Sequence, residues 1–162
     1  MGVEALTPVK KAMGNALERA DNVARLLDVK FFEGASKELV DWDTKADYYH
    51  WAAILRSVSG FEIYRKTYRD AITPAKVAEL LILRADMPRS LMAAVNAMCN
   101  QLGKLANKRS GNTQRMAGLL QAELQYGQID DILKRGLHAY LTEFMERINA
   151  IGAGLSKDFL VV

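Results

Sequence analysis

From Val9 onward, apolar residues return every three or four positions. Val9, Met13, Ala16, Leu17, Ala20, Ala24, Leu27 and Phe31 form one stripe along a helix. Thr7-Pro8 ahead of the stripe reads as an N-cap with proline at the first helical position, and Gly34 as the stop. Residues 35–45 are polar and poorly periodic, which predicts a loop. A second helix is expected over about 46–58, with Tyr48, Trp51, Leu55 and Val58 on one face and Gly60 breaking it. A third, over about 61–71, turns Phe61, Tyr64 and Tyr68 inward and Arg65, Lys66 and Arg69 outward. Thr73-Pro74 opens "AKVAELLIL", which has almost no polar face after Glu79 and so belongs deep in the core.

Asp86-Met87-Pro88 reads as the next helix start, followed by Leu91, Val95, Met98, Leu102 and Leu105. "KRSGN" at 108–112 is a turn, and a sixth helix follows to Tyr126-Gly127. A last helix, from about 129 to 155, carries Ile129, Leu133, Leu137, Tyr140, Phe144, Ile148, Ile151 and Leu155. Six or seven helices on short turns predict an all-α fold, a single antiparallel helical bundle over 1–162.

Composition narrows the setting more than the function. With 50% hydrophobic and 25% charged residues, 162 residues suffice for one buried core. Twenty-two Lys and Arg against 19 Asp and Glu leave a net charge of +3. That balance argues against nucleic acid and against an anionic membrane surface. No basic-then-apolar signal opens the chain and no apolar run reaches spanning length, so a cytoplasmic location is expected. The single cysteine, Cys99, sits at helical spacing in "NAMCNQL" and reads as a small core hydrophobe, not a nucleophile.

Few motifs point to chemistry. A di-iron bundle needs two Glu-x-x-His units and two further Glu, whereas this chain has only His50 and His138. Asp47-x-x-His50 is a fragment of that pattern, so no metal is expected. Ser57, Ser59, Ser90 and Ser110 lack a nucleophile elbow. "SVSGFE" and "SGNT" lack phosphate-loop spacing, and no cofactor is expected. "IYRKTYRD" interleaves aromatics and bases, but the two kinds fall on opposite helical faces, as in an ordinary amphipathic helix.

Two stretches remain. In "DMPRSL", Arg89 and Ser90 would add donors to a helix N-terminus that could hold a carboxylate or phosphate. In "NALERADNVARLLDVK", Glu18, Asp21, Asn22, Arg25 and Asp28 fall opposite the Leu17–Ala20–Ala24–Leu27 stripe. Arg25 can pair with Asp21 at i−4 and reach Asp28 at i+3. Spacing alone favours a solvated helix face over a site.

Taken with "WAAILRSVSGFEIYRKTY", "VAELLIL", "MPRSL" and "YGQIDDILKRGLHAYL", the stretch "LERADNVARLLDVK" resembles the alpha-E family, bacterial all-helical proteins named for a Glu-Arg motif. The likeness runs in order along nearly the whole chain, and it is to the C-terminal half of the usual, longer member. It implies that Glu18 and Arg19 are the named motif, with Asp21 and Arg25 beside it and Arg89-Ser90 in a second motif. Asn15 follows Gly14 where the family pattern has an arginine. Family members occur with ATP-grasp peptide ligases and transglutaminase-like proteins. The resemblance therefore implies an accessory binding role in peptide synthesis, tagging or processing, with such an enzyme or a peptide as partner and a homodimer as the assembly. The alternatives are an enzyme acting on an amide through Glu18/Arg25 and Asp86/Arg89, or a structural dimerisation module.

Overall fold

The computed structural model describes residues 3–35, 45–105 and 110–160. Among them are eight α-helices and no strand: α1 (Val3–Ala35), α2 (Lys45–Ser57), α3 (Phe61–Tyr68), α4 (Pro74–Leu83), α5 (Leu91–Leu105), α6 (Gly111–Tyr126), α7 (Ile129–Arg135) and α8 (Leu137–Leu155), with a π-helical turn at Ser156–Leu160. The all-α class is as the periodicity predicts. The loop expected at 35–45 lies, beyond Ala35 and before Lys45, outside the described residues.

Four helices close into a ring. α1 lies against α5 and α8, and α6 packs on the same two helices. Met13, Ala16, Ala20, Ala24 and Leu27 of the predicted stripe are buried in this ring, as is Val23. α4 touches α1, α2, α3, α5, α6 and α7. That position explains its missing polar face: Val77, Ala78, Leu80, Leu81 and Ile82 are all fully buried. Its start follows the local chemistry, with Pro74 in the first turn and the Thr73 hydroxyl accepting from the Lys76 amide at 3.3 Å.

Elsewhere the boundaries moved. The same Thr-Pro signal at Thr7-Pro8 does not open α1, which begins at Val3 and passes through Pro8. Near a helix start, proline forfeits one intrahelical hydrogen bond, and the preceding residues are helix-competent. The predicted last helix is two, because Gly136 adopts φ +105 between α7 and α8. The break lets α7 pack on α4 while α8 continues along α1 and α6. α5 starts three residues after Pro88, following two tight turns closed by Met87 N–H to Arg84 O and Ser90 N–H to Met87 O. Gly111 and Asn112, expected in a turn, are the first residues of α6. Tyr48, expected inward on α2, is exposed, whereas Trp51, Leu55 and Val58 are buried as predicted.

The end of α2 is capped in full. Gly60 N–H bonds Leu55 O at 2.7 Å and Ser59 N–H bonds Arg56 O at 3.1 Å, the paired bonds of a Schellman turn. The Ser57 hydroxyl donates to Ile54 O, and Arg89 Nη1 donates to Ser57 O at 3.4 Å. The left-handed residue of this turn is Ser59 (φ 56), not Gly60. Gly60 is small for another reason, since a Cβ there would stand 3.1 Å from Met87 Cε. Ser59→Gly is accordingly expected to stabilise the protein by about 0.5–1 kcal/mol, read as a raised midpoint in urea denaturation.

Candidate functional site

The polar residues of the α1 stretch sit where α1 passes between α5 and α8. Two shallow, open grooves flank it. The first, about 580 Å³, runs between α1 and α5 and is lined by Asn15, Glu18, Arg19, Asn22 and Gln101. The second, about 530 Å³, runs between α1 and α8 past Glu18, Asp21, Asn22 and Asn149. Glu18 and Asn22, one helical turn apart, line both, so they form the crest between the grooves. Arg19 leans to the α5 side and Asp21 to the α8 side.

Arg25 holds Asp21 from the next turn, with Nε 2.8 Å from Oδ2. This hydrogen bond and the charge of Asp21 push the Arg25 pKa further up. The other oxygen of Asp21, Oδ1, is shielded from solvent and meets no donor among the described residues. A carboxylate oxygen in that condition carries a desolvation cost, which the Arg25 bond to Oδ2 offsets in part. Asp28, expected as a second partner of Arg25, instead accepts from His138 of α8, with Nδ1 to Oδ1 at 2.7 Å. The predicted Arg25 bridge is thus one ion pair, and Asp28 ties α1 to α8.

The Arg89-Ser90 pair lies elsewhere. Ser90 is buried and stands just before α5. Its hydroxyl donates to Arg84 O at 2.6 Å and accepts from Ala93 N–H at 3.0 Å. With its O–H committed, Ser90 caps the helix, which corrects the expectation of a carboxylate-binding donor. Asp86 does not pair with Arg89 either. Arg84 holds it with two hydrogen bonds, at 3.0 and 2.9 Å. That partner keeps the Asp86 carboxyl below the usual carboxylate range. Ten residues of α5, or about 15 Å, separate its start at Leu91 from Gln101 in the first groove. Glu18, Arg19 and Asp21 therefore line adjoining grooves, and Arg89 lies outside both.

Sequence reasoning missed the carboxamides. Asn15, Asn22, Gln101 and Asn149 come from three helices, and only Asn15 and Asn22 fall in the charged stretch. Each offers an N–H donor beside a carbonyl acceptor, the same pair that a peptide unit presents. It also missed a second Glu-Arg dipeptide, Glu146-Arg147 of α8. Arg147 is paired with Glu123 of α6, beside Tyr140 and outside both grooves. Neither histidine faces the grooves. His50 Nε2 meets Lys30 O at 3.2 Å, and its ring stands edge-on to Trp51. Cys99 is half-buried, its Sγ 3.5 Å from Ala117 O, and burial pushes the thiol pKa up. That suits a packing residue better than a nucleophile.

A protein-family model described as a predicted alpha-helical domain with a conserved ER motif matches residues 11–160. No curated protein and no solved structure matches the chain. Among the described residues, no helix is long and apolar enough to cross a membrane.

Proposed function

The chain belongs to the alpha-E family, and we propose that it is a non-catalytic binding component of a peptide-modification system linked to ATP-grasp and transglutaminase-like enzymes. The Glu18–Arg19 pair would recognise a peptide or a partner's polypeptide lying along the grooves. One observation carries this reading: Glu18 stands exposed between two open grooves bordered by four carboxamides. Such a surface can match the alternating donors and acceptors of an extended backbone while Glu18 and Arg19 read charge. The openness also favours binding over catalysis, because acid–base chemistry gains from a closed, water-poor pocket.

The test is co-purification with the ATP-grasp protein from the same source, using the wild type, Glu18→Ala and Arg19→Ala. Both residues are exposed, so the denaturation midpoints should stay at the wild-type value. Capture of the partner should fall about tenfold or more in each variant. Undiminished capture by both variants would remove the crest from the interface. Arg25→Ala should weaken capture less than Glu18→Ala, since Arg25 acts on the grooves through Asp21.

A further inference from the structure

A second polar cluster is built at the α2–α3 turn, from residues far apart in sequence. The Arg56 guanidinium lies over the Phe61 ring, with Cζ 4.8 Å from the centroid, and Arg65 lies over the same ring at 6.0 Å. Arg89 reaches the turn from before α5 and binds Ser57 O with one amino group. All three side chains are exposed. Lys66 and Arg69 extend the basic character along α3. Asp70 and Asp86 are engaged elsewhere, Asp70 with Lys76 at 2.9 Å and Asp86 with Arg84. Glu62, exposed on the first turn of α3, is the acidic residue within the cluster itself.

Stacking on an aromatic ring fixes the plane of a guanidinium and leaves its N–H edge free. Arg89 is anchored at one amino group, and its remaining donors are free to bind. Three guanidiniums around one turn, Arg56 held over the ring and Arg89 at Ser57 O, are suited to paired carboxylate oxygens. Phe61 is half-buried and already engaged by Arg56, which leaves little of its ring for a base to stack on. The chain as a whole, at +3, also offers no long basic track for a nucleic-acid backbone. The geometry points to Arg56, Arg65 and Arg89 as a docking site for an acidic polypeptide segment, one with adjacent glutamate or aspartate side chains. This site stands apart from the Glu18 crest and does not depend on the role given to it.

The probe is fluorescein-labelled hexaglutamate, titrated with the full chain at low salt and followed by anisotropy. Hexaglutamine and a hexathymidylate of matching length serve as comparisons. Binding of hexaglutamate but not hexaglutamine is expected, and it should weaken about tenfold in the R56Q/R65Q double variant and several-fold in R89Q. E62Q, which removes the opposing charge, should tighten it. R56K/R65K keeps the charge but loses the planar guanidiniums, and it should also weaken binding. Equal affinity in R56Q/R65Q, or full affinity in R56K/R65K, would overturn the organised site. Tighter binding of hexathymidylate than of hexaglutamate would overturn the choice of partner. Circular dichroism of each variant should match the wild type, because these side chains lie outside the core.

Discussion

Truncating Tyr64 to alanine is expected to cost about 4 kcal/mol, and removing its hydroxyl alone, as Tyr64→Phe, about 2 kcal/mol. The ring is fully buried and packs on Tyr68, with centroids 4.7 Å apart. Its hydroxyl donates to Ala71 O at 2.9 Å and accepts from Thr73 N–H at 3.2 Å. One side chain thus closes the connection between α3 and α4 and fixes the residue that caps α4. In Tyr64→Phe both backbone groups lose their partner, which is why the smaller change is still costly. Urea denaturation of both variants measures the two values. Near-wild-type stability of Tyr64→Phe would mean that water replaces the hydroxyl freely.

The same tyrosine predicts an alkaline limit. Burial raises the phenol pKa of Tyr64, Tyr68 and Tyr140, in the last case to about 12. Tyr68 also donates to Glu79 Oε1 at 2.8 Å, which further favours its neutral form. A raised folded-state value means that the unfolded chain ionises first. The stabilisation is complete below the ordinary phenol pKa of about 10 and is lost as pH climbs through the folded values. Stability should therefore fall from about pH 10 upward, with phenolate absorbance from these three rings appearing only as helicity is lost.

Gly154→Ala is expected to destabilise by about 2 kcal/mol, and Gly154→Val by more. A Cβ at Gly154 would stand 2.4 Å from Thr113 Oγ1. Thr113 cannot simply turn away. It is buried, β-branched, and donates to Asp158 Oδ2 at 2.6 Å across α6 and the π-helical turn. Relief therefore requires moving α8 from α6 or breaking the Thr113–Asp158 bond. A companion Thr113→Ala background separates the two: there the methyl of Gly154→Ala should be tolerated, giving a coupling in the double-mutant cycle.

How much of this was legible depends on the range of the force concerned. The α4 boundary was readable because Thr73 and Pro74 act on their own helix, and the left-handed Arg69 (φ 50) stops α3 before them. Thr7-Pro8 carries the same letters, yet no such stop precedes it and the helix continues through. The start read at Asp86-Met87-Pro88 gives way to one at Ser90, whose hydroxyl satisfies both the Ala93 amide and the Arg84 carbonyl. A glycine at position 136 looked compatible with the apolar period, which says nothing of φ. For the site, the α1 face was visible from its 100° spacing. Its carboxamide neighbours Gln101 and Asn149 were not, since only tertiary packing brings α5 and α8 beside α1. The gathering of Arg56, Arg65 and Arg89 around one turn was hidden for the same reason, the first and the last being 33 positions apart.

The ring of helices also sets an order of events during synthesis. At 33 residues α1 is about 50 Å long, and its apolar stripe is covered by α5 and α8. Translation yields α1 before α8, which follows more than a hundred residues later. At 5–20 residues per second, roughly the rate of ribosomal elongation, that interval lasts several seconds. Met13, Ala16, Ala20, Ala24 and Leu27 must pass it without their final partners, when a nascent chain is most open to chaperones and proteases. A ribosome-stalled chain ending before α8 should accordingly bind a holdase chaperone through α1 and release it once α8 has emerged.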